Sequence, residues 1–181
     1  MHIKNKIGLT SFRTSTDFKW LGNSYVNILT NEYGVCLNGN KYGLRSLSNQ
    51  IKQIIRKDIP TVLYDEFPGD LEEGSWSMTV KLISADAFSS QYCSNNITPL
   101  VSMKPNGEKK LEWYKNSCFV IRKEGNHGIQ LVGNMQGLKS FSNHLKIISR
   151  NANLHVLYEQ TMIQNTPIPL FSVHKVNCRG R

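Results

Sequence analysis

Apolar residues follow two rhythms along this chain, and the same succession of rhythms occurs twice. Tyr25-Val26-Asn27-Ile28-Leu29 and Val35-Cys36-Leu37 are short β-prone runs around a turn at Gly34, which read as a hairpin. Leu44, Leu47, Ile51, Ile54 and Ile55 then recur at helical spacing and predict an amphipathic helix of about fifteen residues whose apolar stripe lies on a sheet. Two strands follow, Thr61 to Tyr64 and Ser75 to Ile83, the second with Trp76, Met78, Val80 and Leu82 on alternate positions. The pattern resumes with Cys118 to Ile121, a turn at residues 125–128, and Ile129 to Val132. A helical stripe of Leu138, Phe141, Leu145 and Ile148 comes next, and then strands at 154–158 and 169–176.

The recurrence extends to the residues themselves. Segment 34–56, GVCLNGNKYGLRSLSNQIKQIIR, aligns without a gap on 128–150, GIQLVGNMQGLKSFSNHLKIISR, at an offset of 94 with about half the positions identical. Val62-Leu63-Tyr64 matches Val156-Leu157-Tyr158, and Trp20 and Asn23-Ser24 match Trp113 and Asn116-Ser117 at an offset of 93. The predicted fold is therefore α+β, with two tandem ββαββ repeats related by a pseudo-twofold. Each repeat is expected to form an antiparallel-rich sheet with one amphipathic helix packed on it. The expected layout is 1–83 for the first repeat with an N-terminal extension, 84–111 for a Ser-, Asn-, Pro- and Gly-rich connector, and 112–181 for the second repeat.

The shared Gly-Asn-x-x-Gly-Leu string reads as architecture. Gly39 and Gly133 are expected to let the chain leave the strand at a φ that other residues resist. Asn40 and Asn134 are expected N-caps. Gly43 and Gly137 sit in the first helical turn, where glycine costs stability, so a close contact is expected there, with sheet backbone or with a ligand. Because the Asn side chain would occupy the free amides, and Gly-Lys-Ser/Thr is absent, a phosphate site is not expected.

At 181 residues with 39% hydrophobic content the chain is long enough for a shared core. It has no run of membrane-span length, and the charged N-terminus lacks the apolar run of a secretory signal, so a cytoplasmic location and no membrane association are expected. Cys36, Cys93, Cys118 and Cys178 are scattered, without CxxC pairs, and are expected as reduced, mostly buried thiols. The five histidines form no metal-binding spacing, and no catalytic set is assembled by spacing. No enzyme activity, metal or cofactor is expected. Trp20 and Trp113 are expected to cover the seam between helix and sheet.

Charge changes the picture more. Net charge is +9, which favours nucleic acid, an anionic surface or an acidic protein as partner. Within this basic chain YDEFPGDLEEGS concentrates Asp65, Glu66, Asp70, Glu72 and Glu73, whereas the matching EQTMIQNTPIP does not. Divergence between copies marks this loop, with the adjoining Trp76, as a candidate partner-binding surface that could fill a basic groove.

The strings GNKYGLRSLSNQI with LEEGSWSMTVKLI, and GNMQGLKSFSNHL with HVLYEQ, resemble the bacterial polymorphic-toxin immunity proteins of the immunity protein 32 type. The resemblance spans most of residues 20–83 and 113–176, although Glu-Gly-Ser is replaced in the second copy by NTPIPLF. It implies a non-catalytic cytoplasmic α+β protein that binds one cognate toxin domain, one to one, and occludes its surface or active site. The alternative is a basic nucleic-acid-binding module, which would want aromatics interleaved with Lys and Arg on strands; the strands show mainly aliphatic alternation. A weaker reading is a small-molecule sensor with a pocket between the repeats.

Overall fold

The computed structural model describes residues 13–14, 18–31, 34–65, 71–92, 100–103, 111–151, 155–159 and 170–179. In chain order these form β1 (Arg13–Thr14), β2 (Val26–Asn31), β3 (Gly34–Gly39), α1 (Lys41–Arg56), β4 (Thr61–Tyr64) and β5 (Ser77–Leu82). Then come α2 (Ala85–Tyr92), β6 (Leu100–Met103), β7 (Phe119–Glu124), β8 (Gly128–Gly133), α3 (Met135–Arg150), β9 (His155–Glu159) and β10 (Leu170–Lys175). The class is α+β, and among the described residues no helix is long and apolar enough to cross a membrane.

The two hairpins and the helix of each half form where the apolar rhythm predicts. Their partners differ from expectation. One sheet runs β1-β4-β5-β8-β7 and the other β2-β3-β10-β9-β6, so each sheet takes a pair of strands from each half. The expected one sheet per repeat is thus corrected. The halves join by parallel pairing, β5 on β8 (Met78 opposite Ile129) and β10 on β3 (Val173 opposite Leu37). Within each half β2 on β3, β4 on β5, β7 on β8 and β9 on β10 are antiparallel, while the short β1 lies parallel to β4. The helices make the exchange possible. A sixteen-residue helix spans ~24 Å at 1.5 Å per residue, enough to carry the chain from the end of β3 in one sheet to β4 in the other.

The 84–111 segment is more than a connector. α2 packs Phe88 on Val120 and Val132, a small satellite cluster outside the main core, and β6 adds an antiparallel edge to β9. Both elements are short, eight and four residues, below the length at which periodicity separates them from a loop. The main core is continuous across both halves and includes Ile28, Leu37, Leu47, Ile51, Tyr64 and Met78 from the first and Leu131, Phe141, Leu145, Tyr158, Phe171 and Val173 from the second. Trp20 and Trp113 pack half-buried against it; Trp20 meets Tyr64 edge-on at 6.2 Å and Trp113 meets Tyr158 at the same distance.

Candidate functional site

The shared Asn is the hub of each half. Asn40 Oδ1 accepts from Gly43 N at 2.8 Å and Tyr25 N at 3.1 Å, and Asn40 Nδ2 donates to the Asn23 carbonyl at 2.6 Å. Asn134 repeats this with Gly137 N, Cys118 N and the Asn116 carbonyl at 2.8, 2.9 and 2.8 Å. Asn23 and Asn116 both hold φ of 62°, a conformation asparagine tolerates better than most residues. In each helix one first-turn amide, Gly43 N or Gly137 N, is thereby taken by the cap.

The glycines act by space. A Cβ on Gly43 would lie 2.1 Å from the Tyr25 carbonyl oxygen, and one on Gly137 would lie 2.0 Å from that of Cys118. The close neighbour is therefore chain backbone. Gly39 and Gly133 correct the expectation: neither has a positive φ, which among the described glycines belongs to Gly34, Gly74 and Gly125. Their constraint is again proximity, since an added Cβ would meet Leu44 Cδ2 at 2.7 Å and the Cys118 carbonyl oxygen at 3.0 Å respectively.

Of the acidic loop, Glu66 and Asp70 lie outside the described residues. Asp65 is half-buried, and its carbonyl accepts from Leu71 N at 3.1 Å. Residues 71–76 then run along the outer edge of β2. Glu72 N donates to Val26 O, Trp76 N to Ile28 O, and Ile28 N to Ser75 Oγ. This stretch occupies an edge that would otherwise present unpaired backbone groups. Glu73 is exposed, while Trp76 is half-buried, with His127 edge-on at 5.9 Å and Lys123 Nζ 5.6 Å from the centre of its ring. Of the predicted loop residues that are described, Glu73 is exposed, while Asp65, Glu72 and Trp76 are half-buried.

Two histidine environments are also built. His144 is buried between the Glu112 carbonyl, 2.9 Å from Nε2, and the Tyr158 hydroxyl, 3.1 Å from Nδ1. An Nε2–H tautomer satisfies both contacts, and burial holds its pKa below the ordinary histidine value while burial pushes Tyr158 well up. His155 and His174 face each other across β9 and β10 with ring centroids 3.8 Å apart; burial and then the His155 charge lower the His174 pKa. Among the described residues no three His, Cys, Asp or Glu are placed to hold a metal ion. Cys36 is buried, Cys118 half-buried and Cys178 exposed; burial raises the Cys36 pKa, so that thiol is a packed group.

The assembled surface that composition alone missed lies on the helices. α1 and α3 pack side by side through equivalent serines: Ser48 Oγ donates to the Ser142 carbonyl at 2.8 Å and Ser142 Oγ to the Ser48 carbonyl at 2.9 Å. They run antiparallel. Asp58, just past α1, and Met135, opening α3, line one cavity of about 380 Å³. At the other end Lys175, which pairs with Gly39 just before α1, donates to the carbonyl of Asn151 at the end of α3. In an antiparallel pair joined through equivalent residues, the matching stripes emerge on the same side.

Those stripes carry one sign of charge. α1 bears Lys41, Arg45, Lys52 and Arg56, α3 bears Lys139, Lys146 and Arg150, and all seven are exposed or half-exposed. Neither helix contains an Asp or Glu. Lys52 has its pKa lowered by partial burial first and then by the charges of Lys146 and Arg150, which places three cations around the seam. Apolar groups border the face. Tyr42 (45% exposed) and Met135 (54%) open the two helices, and Leu21 and Tyr114 flank them, each through a backbone N–H held by a helix serine, Ser46 or Ser140. Lys139 Nζ lies 5.5 Å from the centre of the Tyr114 ring, and Asn143 Nδ2 donates to the Tyr114 hydroxyl. No family model, curated protein or solved structure matches this chain.

Proposed function

We propose that this chain is an immunity protein that binds a cognate bacterial toxin domain in the cytoplasm, one to one, and neutralises it by covering its surface or active site. We read its halves as duplicated ββαββ units about a pseudo-twofold, interlaced into one rigid scaffold. The observation that carries the reading is the two-helix face: a broad single-signed surface with apolar groups at its border, on helices locked together by reciprocal serine bonds. A preorganised face of this kind loses little freedom on association, and its charge steers an oppositely charged partner. The sequence resemblance supplies the class of partner.

The same seven cations favour a second reading, a nucleic-acid-binding module that docks through helices rather than through a sheet face. Co-expression of the chain with the protein encoded immediately upstream tests the first reading. Relief of growth arrest and a 1:1 complex by size exclusion with light scattering are expected. Unrelieved arrest together with separate elution of the two proteins would overturn it.

A further inference from the structure

Basic faces bind any polyanion weakly; the arrangement on this one selects among them. We infer that the two-helix face is a docking surface for an acidic protein surface, with Lys52, Lys146 and Arg150 at its centre meeting partner carboxylates. This deepens the immunity reading by fixing which surface binds and which charge the partner carries.

Four observations point this way. The two helices carry positive charge alone, with no carboxylate on either, and Asp58 stands only beyond the end of α1. Lys146 and Arg150 lie close enough to Lys52 that, after partial burial, their charges also lower its pKa, and an anionic partner would offset that second, like-charge contribution. Of the five large hydrophobic side chains exposed among the described residues, four (Leu21, Tyr42, Tyr114 and Met135) border this face, and Leu29 is the exception. Apolar and aromatic groups around charge are the composition of a protein interface. A nucleic-acid face of comparable charge would use aromatic rings as stacking platforms along the strand path. Here Tyr114 is engaged by Lys139 and Asn143, and Tyr42 stands at the far end of α1. The spacing also suits a structured partner, because the cations are carried on two rigid helices with their seam buried beneath them.

The test titrates two fluorescent probes against the full chain at near-physiological salt: poly-L-glutamate, and random-sequence single-stranded RNA of matched charge. Three double variants are compared with the parent: Lys52→Glu/Lys146→Glu, the neutral Lys52→Gln/Lys146→Gln, and Lys81→Glu/Lys123→Glu, on strands β5 and β7 rather than on the two helices. Urea midpoints verify that each is folded. The expected result is at least tenfold weaker poly-glutamate binding for the helix reversal, an intermediate loss for the neutral pair, and less than threefold change for the Lys81/Lys123 pair. Equal loss from both reversals, or no poly-glutamate binding by the parent, overturns the inference. So does RNA binding more than tenfold tighter than poly-glutamate, which assigns the face to nucleic acid. The co-expression test is read separately. A chain that passes this titration but leaves the growth arrest unrelieved keeps the face and loses the immunity reading; one that neutralises the toxin but fails the titration loses only the face.

Discussion

Gly137→Ala should destabilise this protein although alanine is the better helix former. In a helix interior the exchange alone would favour folding by about 1 kcal/mol. At this site the new Cβ would lie 2.0 Å from the Cys118 carbonyl oxygen and 2.8 Å from its carbon. Relief needs a shift of roughly an ångström, because ordinary contacts lie near 3.5 Å. The Cys118 carbonyl cannot yield alone: it accepts from Asn134 N at 3.0 Å, and Cys118 N donates to Asn134 Oδ1 at 2.9 Å. Moving it loosens two partly buried hydrogen bonds, each worth about 1 kcal/mol when kept and about 1–3 kcal/mol when a group is left unsatisfied. Subtracting the propensity gain leaves a net loss of about 1–5 kcal/mol, about 3 at the middle of the range. At about 2–4 °C per kcal/mol for a chain of this size, Tm should fall by roughly 5–15 °C. Urea unfolding followed by far-UV circular dichroism measures it, with half-exposed Gln136→Ala as the neighbouring control. A Gly137→Ala protein as stable as the parent would refute the reasoning and return the glycine to a ligand-contact role.

Asn134→Ala should cost about 3 kcal/mol, a cap's worth plus the stranded Cys118 and Gly137 amides, and differential scanning calorimetry would detect it. The double variant Ser48→Ala/Ser142→Ala should lose about 1–3 kcal/mol, since each hydroxyl bonds the other helix's backbone; no change in its urea midpoint would show the seam is held by shape alone. Stability should be full above about pH 6.5 and fall as pH drops toward the depressed folded pKa values of His144 and His174, because there the unfolded chain binds protons the folded chain refuses. The slope is at most about 1.4 kcal/mol per pH unit for each histidine. His144→Gln should flatten that slope in urea titrations at pH 7.5 and 5.5, because Gln50 already serves at the matching place, bonding the Lys19 carbonyl.

The apolar rhythm placed the hairpins and the two long helices, though not α2 or β6, and Tyr64 and Tyr158 both turn inward from their strands into the core. It says which face of a strand is buried, and nothing about which strand lies alongside. Val80 facing Leu131 rather than a strand of its own half is invisible to a local pattern. The basic face was hidden for a related reason. Lys52 and Lys146 are 94 positions apart, and only the Ser48–Ser142 seam makes them neighbours. A signal was present all the same: Lys41, Arg45, Lys52 and Arg56 share one helical face, as do Lys139, Lys146 and Arg150, with no acid between them. The acidic loop drew notice by its composition, yet the described part of it is stitched to the edge of β2 by backbone bonds that no side-chain pattern announces.

The exchange of strand pairs has a consequence for how such a molecule can be cut and rejoined. A chain ending near the middle of this sequence would carry β3 without β10 and β5 without β8, each with one side of its ladder open. Under the pseudo-twofold proposed above, a second copy of that half offers the same pairings, and an intertwined homodimer is the expected product of such a cut. Tethering the halves in one polypeptide turns a concentration-dependent encounter into an intramolecular closure. It also frees the copies from being identical, so that Tyr114 can replace the leucine that sits at position 21 beside the matching helix.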